Sequence, residues 1–273
     1  MLKQRVFTAL LLLPLVLAII FVLPPAGLML LVALILLRGA WEYTQLASLE
    51  SKRGAWSLVV IQAIVFGVLF STRDTWGGAA LLAMSACSIA WLLMLLRLFF
   101  YRPGQQPDSA YRSASFITAI ISISSGWFAI SWIRMLDDGS WLILLLLLIV
   151  WAADTGAYFA GKSFGKRKLA PSLSPGKTMA GLVGGLILSP LVALLAMNLM
   201  PVKPLEPMTL IMLSLVTALI SVGGDLLISM HKRTSGLKDS GNLLPGHGGI
   251  LDRLDSLIAA APFFALGLLV SGY

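Results

Sequence analysis

The chain has 273 residues, 58% of them hydrophobic and 12% charged, with a mean hydropathy of +0.92. This composition excludes a soluble domain and indicates an integral membrane protein. The formal net charge of +8 suggests nucleic-acid binding at first sight, but the hydropathy excludes a soluble basic binder, and we predict no nucleic-acid partner. In a membrane protein, a positive excess usually records topology and attraction to anionic headgroups.

The predicted elements are membrane spans. The apolar stretch at the N-terminus is too long for a signal peptide and lacks a cleavage site, so we interpret it as the first span. A window of about 20 residues identifies nine stretches: 6–24, 26–47, 55–72, 76–101, 113–135, 141–161, 178–200, 208–230 and 250–271. We predict an all-α, polytopic bundle of about nine transmembrane helices that forms a single domain over residues 1–273. N-terminal spans fill residues 1–110, and a second half, 141–273, carries polar loops at 161–178 and 231–250.

The basic residues fall on one side of this predicted topology. If the N-terminus is cytoplasmic, every Lys and Arg lies in or beside a cytoplasmic segment except Arg73, Arg134 and Lys203. The positive-inside rule predicts such a bias. We therefore predict a cytoplasmic N-terminus, an external C-terminus, and polar loops of the second half that face the cytoplasm.

Two acidic residues lie inside predicted spans. Asp154 is about two turns from the end of the sixth span, and Asp225 is a little over one turn from the end of the eighth. A carboxylate at such depth is costly unless it meets a cation, a metal or water, so a functional role is the first hypothesis. A polar contact between helices is the alternative for each residue.

Further acids lie around the start of the ninth span. Asp252 and Asp255 are three residues apart, which places both on one helical face, and the helix dipole favours their ionised form. Simple helix capping is the alternative hypothesis. Asp239 precedes them in a glycine-rich loop, and Asp225 ends the preceding span. Oxygen ligands without Cys and with few His favour Mg²⁺ over zinc or copper, and the number of cations stays open.

Basic residues and glycines surround these acids. Topology and anionic lipid explain part of the charge, but the segment GLKDSGNLLPGHGGILD also offers backbone amides that can surround phosphate. The segment SPGKT, from Ser174 to Thr178, is similar in kind but lacks the spacing of a P-loop. His247 is either a donor to phosphate or a turn residue, and we expect His231 at the membrane interface. The cations are Lys162, Lys166, Arg167, Lys168, Lys177, Lys232, Arg233, Lys238 and Arg253.

A long ordered motif contains most of these polar residues. Carboxylates for a metal, cations for phosphate and a flexible loop favour phosphoryl or nucleotidyl transfer to a lipid. The motif consists of Ser229, Lys232, Arg233, Lys238, Asp239, Gly241, Leu244, Pro245, His247, Gly248, Gly249, Asp252, Arg253 and Asp255. In this order it resembles the pattern of the phosphatidate cytidylyltransferases, also called CDP-diglyceride synthases. The upstream block ADTGAYFAGKSFGKRKLAPSLSPGKT is similar to a second motif of that family, although Gly176, Ala180 and His231 depart from the usual residue types.

The resemblance implies a reaction, a cofactor and an assembly. CTP and phosphatidic acid would give CDP-diacylglycerol and pyrophosphate with Mg²⁺, in a multi-pass protein of the cell inner membrane. A homodimer with a funnel-shaped polar cavity open to the cytoplasm is expected, with 141–273 as the catalytic half. The resemblance ties Asp225 and Asp252 to metal binding, and we add Asp239 and Asp255 as a third ligand or as residues that support the ligands.

We predict the following roles for the site residues. The catalytic group consists of Asp225, Asp239, Asp252, Asp255, Lys238 and His247. Substrate binding falls to Lys177, which we expect at the lipid phosphate, and to cations and glycines that would meet the phosphates. These are Lys232, Arg233, Arg253, Gly248 and Gly249. Three further residues are predicted to bind substrate: Ser174, Thr178 and Asp154.

Two other functions remain as alternatives. An ion-coupled transporter would also place Asp154 and Asp225 in the membrane, with broken helices around Gly223 and Gly224. It would not need the phosphate-binding loop. A CDP-alcohol phosphotransferase is close in chemistry, but its D-G-x-x-A-R opening is missing from the sequence.

Overall fold

The computed structural model describes residues 13–49, 51–201, 205–242 and 248–273 as a bundle of helices. Eight of the helices are long and apolar enough to cross a membrane, which confirms the all-α, polytopic prediction. The predicted span 6–24 lies partly outside the described residues, and its described part is one shorter apolar helix. The helices are α1 (Leu13–Val22), α2 (Pro25–Leu46), α3 (Lys52–Ser71), α4 (Trp76–Leu96), α5 (Ser109–Met135), α6 (Gly139–Phe164), α7 (Met179–Leu199), α8 (Pro207–Thr234) and α9 (Leu251–Val270).

Several helices begin at residues whose side chains satisfy the first backbone amides. Ser51 accepts from the amide of Gly54 (3.0 Å) and Asp108 from that of Tyr111 (2.7 Å), which fixes the starts of α3 and α5. Pro25 and Pro207 occupy first positions of α2 and α8, where a missing amide proton costs no helical hydrogen bond. These local signals explain why the helix boundaries lie within a few residues of the predicted spans.

Helix α5 lies at the centre of the bundle and joins both halves of the chain. The indole of Trp127 on α5 donates to the carbonyl of Met29 on α2 (2.8 Å), and Trp91 on α4 donates to Ser125 (2.9 Å). Both rings are fully buried. Because each of these two buried indole N–H groups has a hydrogen-bond acceptor, its burial does not leave an unsatisfied donor that would destabilise the fold.

Helices α6 and α7 pack backbone against backbone. A methyl group on Gly156 would lie 2.5 Å from the carbonyl oxygen of Gly184, and one on Gly185 would lie 2.7 Å from that of Ala153. Small residues permit such approach between membrane helices, where van der Waals packing drives association. The contact sets the position of Asp154, which lies on α6 between Ala153 and Gly156.

Replacing Gly156 by Ala is expected to lower the free energy of unfolding by about 1–3 kcal/mol, because the added methyl group overpacks the α6–α7 contact. Gly77 on α4 is the matched control, since a methyl group there meets no atom within 4 Å. Gly77→Ala should leave stability unchanged or raise it by up to about 1 kcal/mol through helix propensity. Unfolding of both variants in detergent micelles measures the difference, and equal effects would contradict the packing argument.

The polar segment between α6 and α7 forms a short hairpin. Strand β1 (Lys168–Ala170) pairs antiparallel with β2 (Ser174–Thr178), with Lys168 opposite Thr178. Helix α6 itself continues to Phe164, so the predicted loop 161–178 is more ordered than its composition indicates. The hairpin delivers Lys177 directly to the start of α7.

One end of the bundle gathers the polar parts of the chain. The hydroxyls of Tyr111 and Ser235 both donate to the carbonyl of Leu46, at 2.8 and 2.5 Å. The start of α5 and the end of α8 therefore meet the end of α2. The start of α9 and the hairpin join them through the contacts described below. That this end faces the cytoplasm stays a prediction.

Candidate active site

Two lysine–carboxylate pairs form the centre of the candidate site. Lys177 Nζ on β2 lies 2.6 Å from Asp225 Oδ2 on α8, and Lys232 Nζ on α8 lies 2.7 Å from Asp252 Oδ1 on α9. The second pair is the more buried, with side chains 12% and 10% exposed. Charged groups near membrane depth are tolerated when paired in this way. The pairs join three segments that are far apart in the sequence.

Asp255 is a further buried acid that interacts with both pairs. Its side chain is 5% exposed, and it interacts electrostatically with Asp225, Lys177 and Lys232. Helices α8 and α9 approach closely here because Gly224 has no side chain, and a methyl group on it would lie 2.7 Å from the Asp255 carbonyl oxygen. The prediction that Asp252 and Asp255 share a face with Asp225 nearby therefore describes the observed packing.

Asp252 also organises the glycine-rich loop. Its Oδ2 accepts from the backbone amide of Ser240 (2.8 Å), the Ser240 hydroxyl (3.0 Å) and the amide of Gly249 (3.0 Å). Gly248 has φ of +80°, and a methyl group there would lie 2.6 Å from the same oxygen. Both features require glycine at position 248. Helix capping, the alternative hypothesis, therefore explains the contacts of Oδ2 only, because Oδ1 pairs with Lys232.

Glu42 on α2 is a buried acid that the sequence reasoning overlooked. It is 1% exposed, and its two oxygens accept from the amides of Ile250 (3.1 Å) and Leu251 (3.0 Å) at the start of α9. Arg38 Nη1 lies 3.3 Å from Oε1. The available signal was the one used for Asp154 and Asp225, a carboxylate inside an apolar span. Arg38 one turn earlier made Glu42 resemble an ordinary helical ion pair.

A cavity of about 200 Å³ opens beside the first pair. Asp154, Lys177 and Thr178 supply its polar wall, and Tyr158 and Val222 belong to its largely apolar remainder. Asp154 interacts electrostatically with Lys177, Asp225 and Arg253, which ties the cavity to the paired acids. Such a cavity, lined by both polar and apolar residues, suits an amphipathic ligand.

The remaining predicted residues lie farther from the paired acids. Arg233 Nε donates to the carbonyl of Leu173 in the hairpin (3.2 Å), and Ser174 is half-buried on β2. Lys238 and Asp239 are exposed, and no ion pair within the described part of the chain involves them. His247 lies outside the described residues.

Thr178 has a structural task in addition to its place in the cavity. It caps α7, since its hydroxyl accepts from the amide of Gly181 at 3.0 Å. The cap fixes the residue that follows Lys177 and so restrains the lysine at the mouth of the helix. Substrate contact by Thr178, as by Ser174, stays a prediction.

The ring of His231 lies inside the bundle, and its place relative to the membrane interface stays a prediction. The ring is fully buried, with Nδ1 at 3.1 Å from the Tyr111 hydroxyl and 3.2 Å from that of Ser115. The aromatic ring of Tyr43 packs edge-on against it. The ring can occupy a core position because α5 supplies hydroxyl partners for it. Its sequence neighbours Lys232 and Arg233 gave no sign of this burial.

The donor set suits a hard cation held jointly with a substrate. Among the residues that the structure describes, no three Asp, Glu, His or Cys side chains are arranged to hold a metal by themselves. Mg²⁺ rarely has an all-protein cage and is usually held by one or two carboxylates plus substrate phosphates. The adjacent carboxylates Asp225 and Asp255 meet that requirement.

Fold and site together define a multi-pass membrane protein with a carboxylate- and lysine-lined site at one end of its bundle. The chain belongs to the cytidylyltransferase family, whose model matches residues 3–270. A phosphatidate cytidylyltransferase of Pseudomonas aeruginosa is 39% identical over 273 residues, which cover 100% of this chain and 99% of the relative. One of Haemophilus influenzae is 36% identical over 281 residues, covering 97% of this chain and 98% of the relative. The resemblance seen in the motif is thus confirmed across the chain.

Proposed function

We propose that this protein transfers the cytidylyl group of CTP to phosphatidic acid, giving CDP-diacylglycerol and pyrophosphate. The observation that carries the proposal is the meeting of two lysine–carboxylate pairs with a partly apolar cavity at one end of a membrane bundle. A water-soluble triphosphate and a lipid headgroup can meet at such a place. The full-length relatives that carry the name phosphatidate cytidylyltransferase support the same reaction.

The chemistry needs charge stabilisation more than proton transfer. A phosphate oxygen of phosphatidate, already ionised, forms a bond to the α-phosphorus of CTP, and the bond from that phosphorus to the β-phosphate bridging oxygen breaks. Pyrophosphate leaves with the electron pair. Two polyanions must approach each other for this step, so fixed cations and preorganised donors lower the barrier.

The residues divide this task between two places. Lys177, at the cavity, would hold the lipid phosphate, while Lys232 and the glycine-rich loop at Gly248 and Gly249 would meet the triphosphate. Asp252 keeps Lys232 and the loop in one arrangement through its two oxygens. Arg233, Lys238 and Arg253 would add positive charge at the rim.

Magnesium is the cation that best suits this proposal. Asp225 and Asp255 would hold it together with triphosphate oxygens. Asp252, which the family resemblance ties to the metal, would support the site through Lys232 and the loop. Once bound, Mg²⁺ would neutralise charge on the phosphates. Asp239 is exposed, which favours a supporting role at most.

We further infer the membrane in which the chain lies, the side that its site faces and its oligomeric state. The chain would lie in the cell inner membrane with the site facing the cytoplasm, because its Lys and Arg residues cluster in the segments predicted to be cytoplasmic. CTP is available on that side. A homodimer is proposed from the family resemblance, and its test is the mass of the purified protein in detergent.

The transporter alternative loses its main structural support. Helix α8 runs without interruption from Pro207 to Thr234. Gly223 and Gly224, expected to break it, instead serve packing, as the close approach of Gly224 to α9 indicates. A transporter of the predicted type uses discontinuous helices at its site, so an enzyme is the better reading.

The acceptor can be identified by mass spectrometry of lipid extracts. Purified protein would be incubated with CTP and Mg²⁺ in micelles containing phosphatidic acid, diacylglycerol or phosphatidylglycerol. A lipid that combines phosphatidate with a cytidine monophosphate group should form with phosphatidic acid alone. Formation of a cytidylated product from another acceptor in its place would overturn the proposed substrate.

Replacing Lys177 by Met is expected to lower kcat/KM for phosphatidic acid by about 100-fold, because an electrostatic contact to the reacting phosphate is lost. The carboxylates Asp225 and Asp154 also lose their shared cation. The matched control is Lys168→Met, since Lys168 is exposed on the neighbouring strand. Steady-state kinetics in mixed micelles compares the two, and equal losses would argue against a lipid-phosphate contact at Lys177.

A further inference from the structure

Glu42 connects the N-terminal half of the chain to the candidate site. It lies on α2, whereas the residues that it contacts belong to the Ser240–Leu251 region about 200 residues later. Its carboxylate is 1% exposed. Nothing in the proposed chemistry uses Glu42, so a buried acid beside the site requires an explanation of its own.

The carboxylate of Glu42 accepts hydrogen bonds from both sides of the glycine-rich loop. On the distal side, the amides of Ile250 and Leu251 donate to Oε1 and Oε2, at 3.1 and 3.0 Å. On the proximal side, the Ser240 hydroxyl lies 2.9 Å from Oε2. These amides are among the first of α9, where helical partners are lacking and negative charge is favoured. Glu42 therefore closes the base of the loop.

Ser240 links Glu42 to Asp252. Its hydroxyl is 2.9 Å from Glu42 Oε2 and 3.0 Å from Asp252 Oδ2, while its amide donates to the same Asp252 oxygen at 2.8 Å. A hydroxyl has one proton, so it donates to one of the two carboxylates at a time. A displacement of Glu42 would therefore change the hydrogen bonding of Asp252 and, through Asp252, the position of Lys232.

Two glycines of the loop are explained by this contact. A methyl group on Gly241 would lie 2.7 Å from Glu42 Oε1, and one on Gly249 would collide with Glu42 Oε2 and the Ser240 hydroxyl. The backbone at Gly241 and Gly249 can lie this close to the carboxylate only because these residues lack side chains. Contact with Glu42 thus explains these two glycines, in addition to the contact with substrate phosphates that is predicted for the loop.

We propose that Glu42 is a positioning residue for cytidylyl transfer: from α2 it fixes the loop that orients Asp252 and Lys232. This inference rests on the proposed function for its kinetic part, and on geometry alone for its structural part. Glu42 lies beside Ser240 and the start of α9 and away from the Lys177 cavity. Its loss should therefore affect turnover more than the interaction with phosphatidic acid.

The test uses Glu42→Gln in the full-length protein, with Glu206→Gln as the matched control. Glu206 also caps a helix, accepting from the amide of Thr209 at 2.8 Å, but it lies at the opposite end of α8 from Lys232. That amide holds the pKa of Glu206 below its ordinary value. Both substitutions therefore remove a carboxylate that accepts from amides at a helix N-terminus. They differ in that Glu42 is buried beside the site, whereas Glu206 is exposed and caps its own helix away from the site.

Glu42→Gln should lower kcat by about 10- to 100-fold, as expected for loss of exact orientation, with KM for phosphatidic acid within twofold of wild type. Glu206→Gln should keep wild-type turnover. In a double-mutant cycle, Glu42→Gln and Ser240→Ala should be non-additive, because both break one link. Additive losses, or equal kcat values for the two Glu→Gln variants, would overturn the proposal.

Amide hydrogen exchange separates this inference from the proposed reaction. The amides of Ile250 and Leu251 should exchange slowly in the wild type. At least one of them should exchange at least about tenfold faster in Glu42→Gln, since Gln keeps one acceptor oxygen and presents an NH₂ group to the other amide. Unchanged exchange would refute the positioning role even if the enzyme assay fails. Faster exchange together with an inactive wild-type protein would instead retain the contact and reject cytidylyl transfer. If Glu42→Gln does not purify as a folded protein, Ser240→Ala must show the kcat loss on its own, and its absence overturns the proposal.

Discussion

Replacing Asp252 by Asn is expected to lower cytidylyl transfer by about 1,000-fold, the upper end of the effect of losing a preorganised electrostatic group. Asp252 Oδ1 pairs with Lys232, and Oδ2 accepts from Ser240 and Gly249. The amide of Asn can accept at one of these positions and presents an NH₂ group to the other. The variant therefore loses either the lysine partner or the loop, and it loses the negative charge in both cases.

The control for this substitution is Asp74→Asn. Asp74 lies beside Arg73 with a side chain that is 76% exposed, so the same chemical change there meets solvent. Initial rates with saturating CTP and phosphatidic acid would be compared for both variants after checking that each elutes as a folded protein in detergent. Activity of Asp252→Asn within tenfold of the control would show that Asp252 is not part of the active site.

Chelation of divalent cations is expected to abolish transfer, with a loss of at least about 1,000-fold, because a metal contributes several kcal/mol of charge stabilisation. Added Mg²⁺ should restore the rate. Asp225 and Asp255, which interact electrostatically, would provide oxygen ligands, and triphosphate oxygens would complete the coordination. Affinity for the metal should consequently rise when CTP is present.

The fold itself should tolerate chelation. The proposed cation would be held partly by substrate phosphates, so we expect the folded state not to depend on it. The unfolding temperature with and without chelator should agree within experimental error. Full activity in excess chelator would refute the metal, and a large fall in unfolding temperature would indicate a structural cation in its place.

Much of the fold follows from the sequence because membrane spans are specified locally. An apolar stretch of about 20 residues must form a helix to satisfy its backbone in lipid. The predicted span 208–230 corresponds to α8, and 250–271 to α9, with ends shifted by a few residues. Caps such as Asp108 and Thr178 then adjust the ends by one turn or less.

The site was partly predictable for a related reason. Carboxylates inside apolar segments are costly, so Asp154 and Asp225 were conspicuous, and the spacing of Asp252 and Asp255 fixed their shared face. Which lysine pairs with which acid could not be predicted, because Lys177–Asp225 and Lys232–Asp252 depend on how three distant segments pack. Glu42 was missed because Arg38 one turn earlier offered a local partner, and its contacts with the start of α9, about 200 residues later, leave no local pattern.

The burial of His231 illustrates the remaining limit. Its neighbours in sequence are Lys232 and Arg233, and such company is typical of a membrane interface. The ring is nevertheless buried against Tyr43, Tyr111 and Ser115, which α2 and α5 supply. Tertiary partners of this kind leave no local pattern in a single sequence.

The transfer of label from two differently labelled samples of CTP tests the central claim most directly. Purified protein would be incubated with phosphatidic acid, Mg²⁺ and CTP carrying ³²P at either the α- or the γ-phosphate. We expect α-label in chloroform-soluble lipid and an equal amount of γ-label in pyrophosphate, both dependent on phosphatidic acid. Lipid that carries the γ-label, or no labelled lipid from folded protein, would contradict cytidylyl transfer.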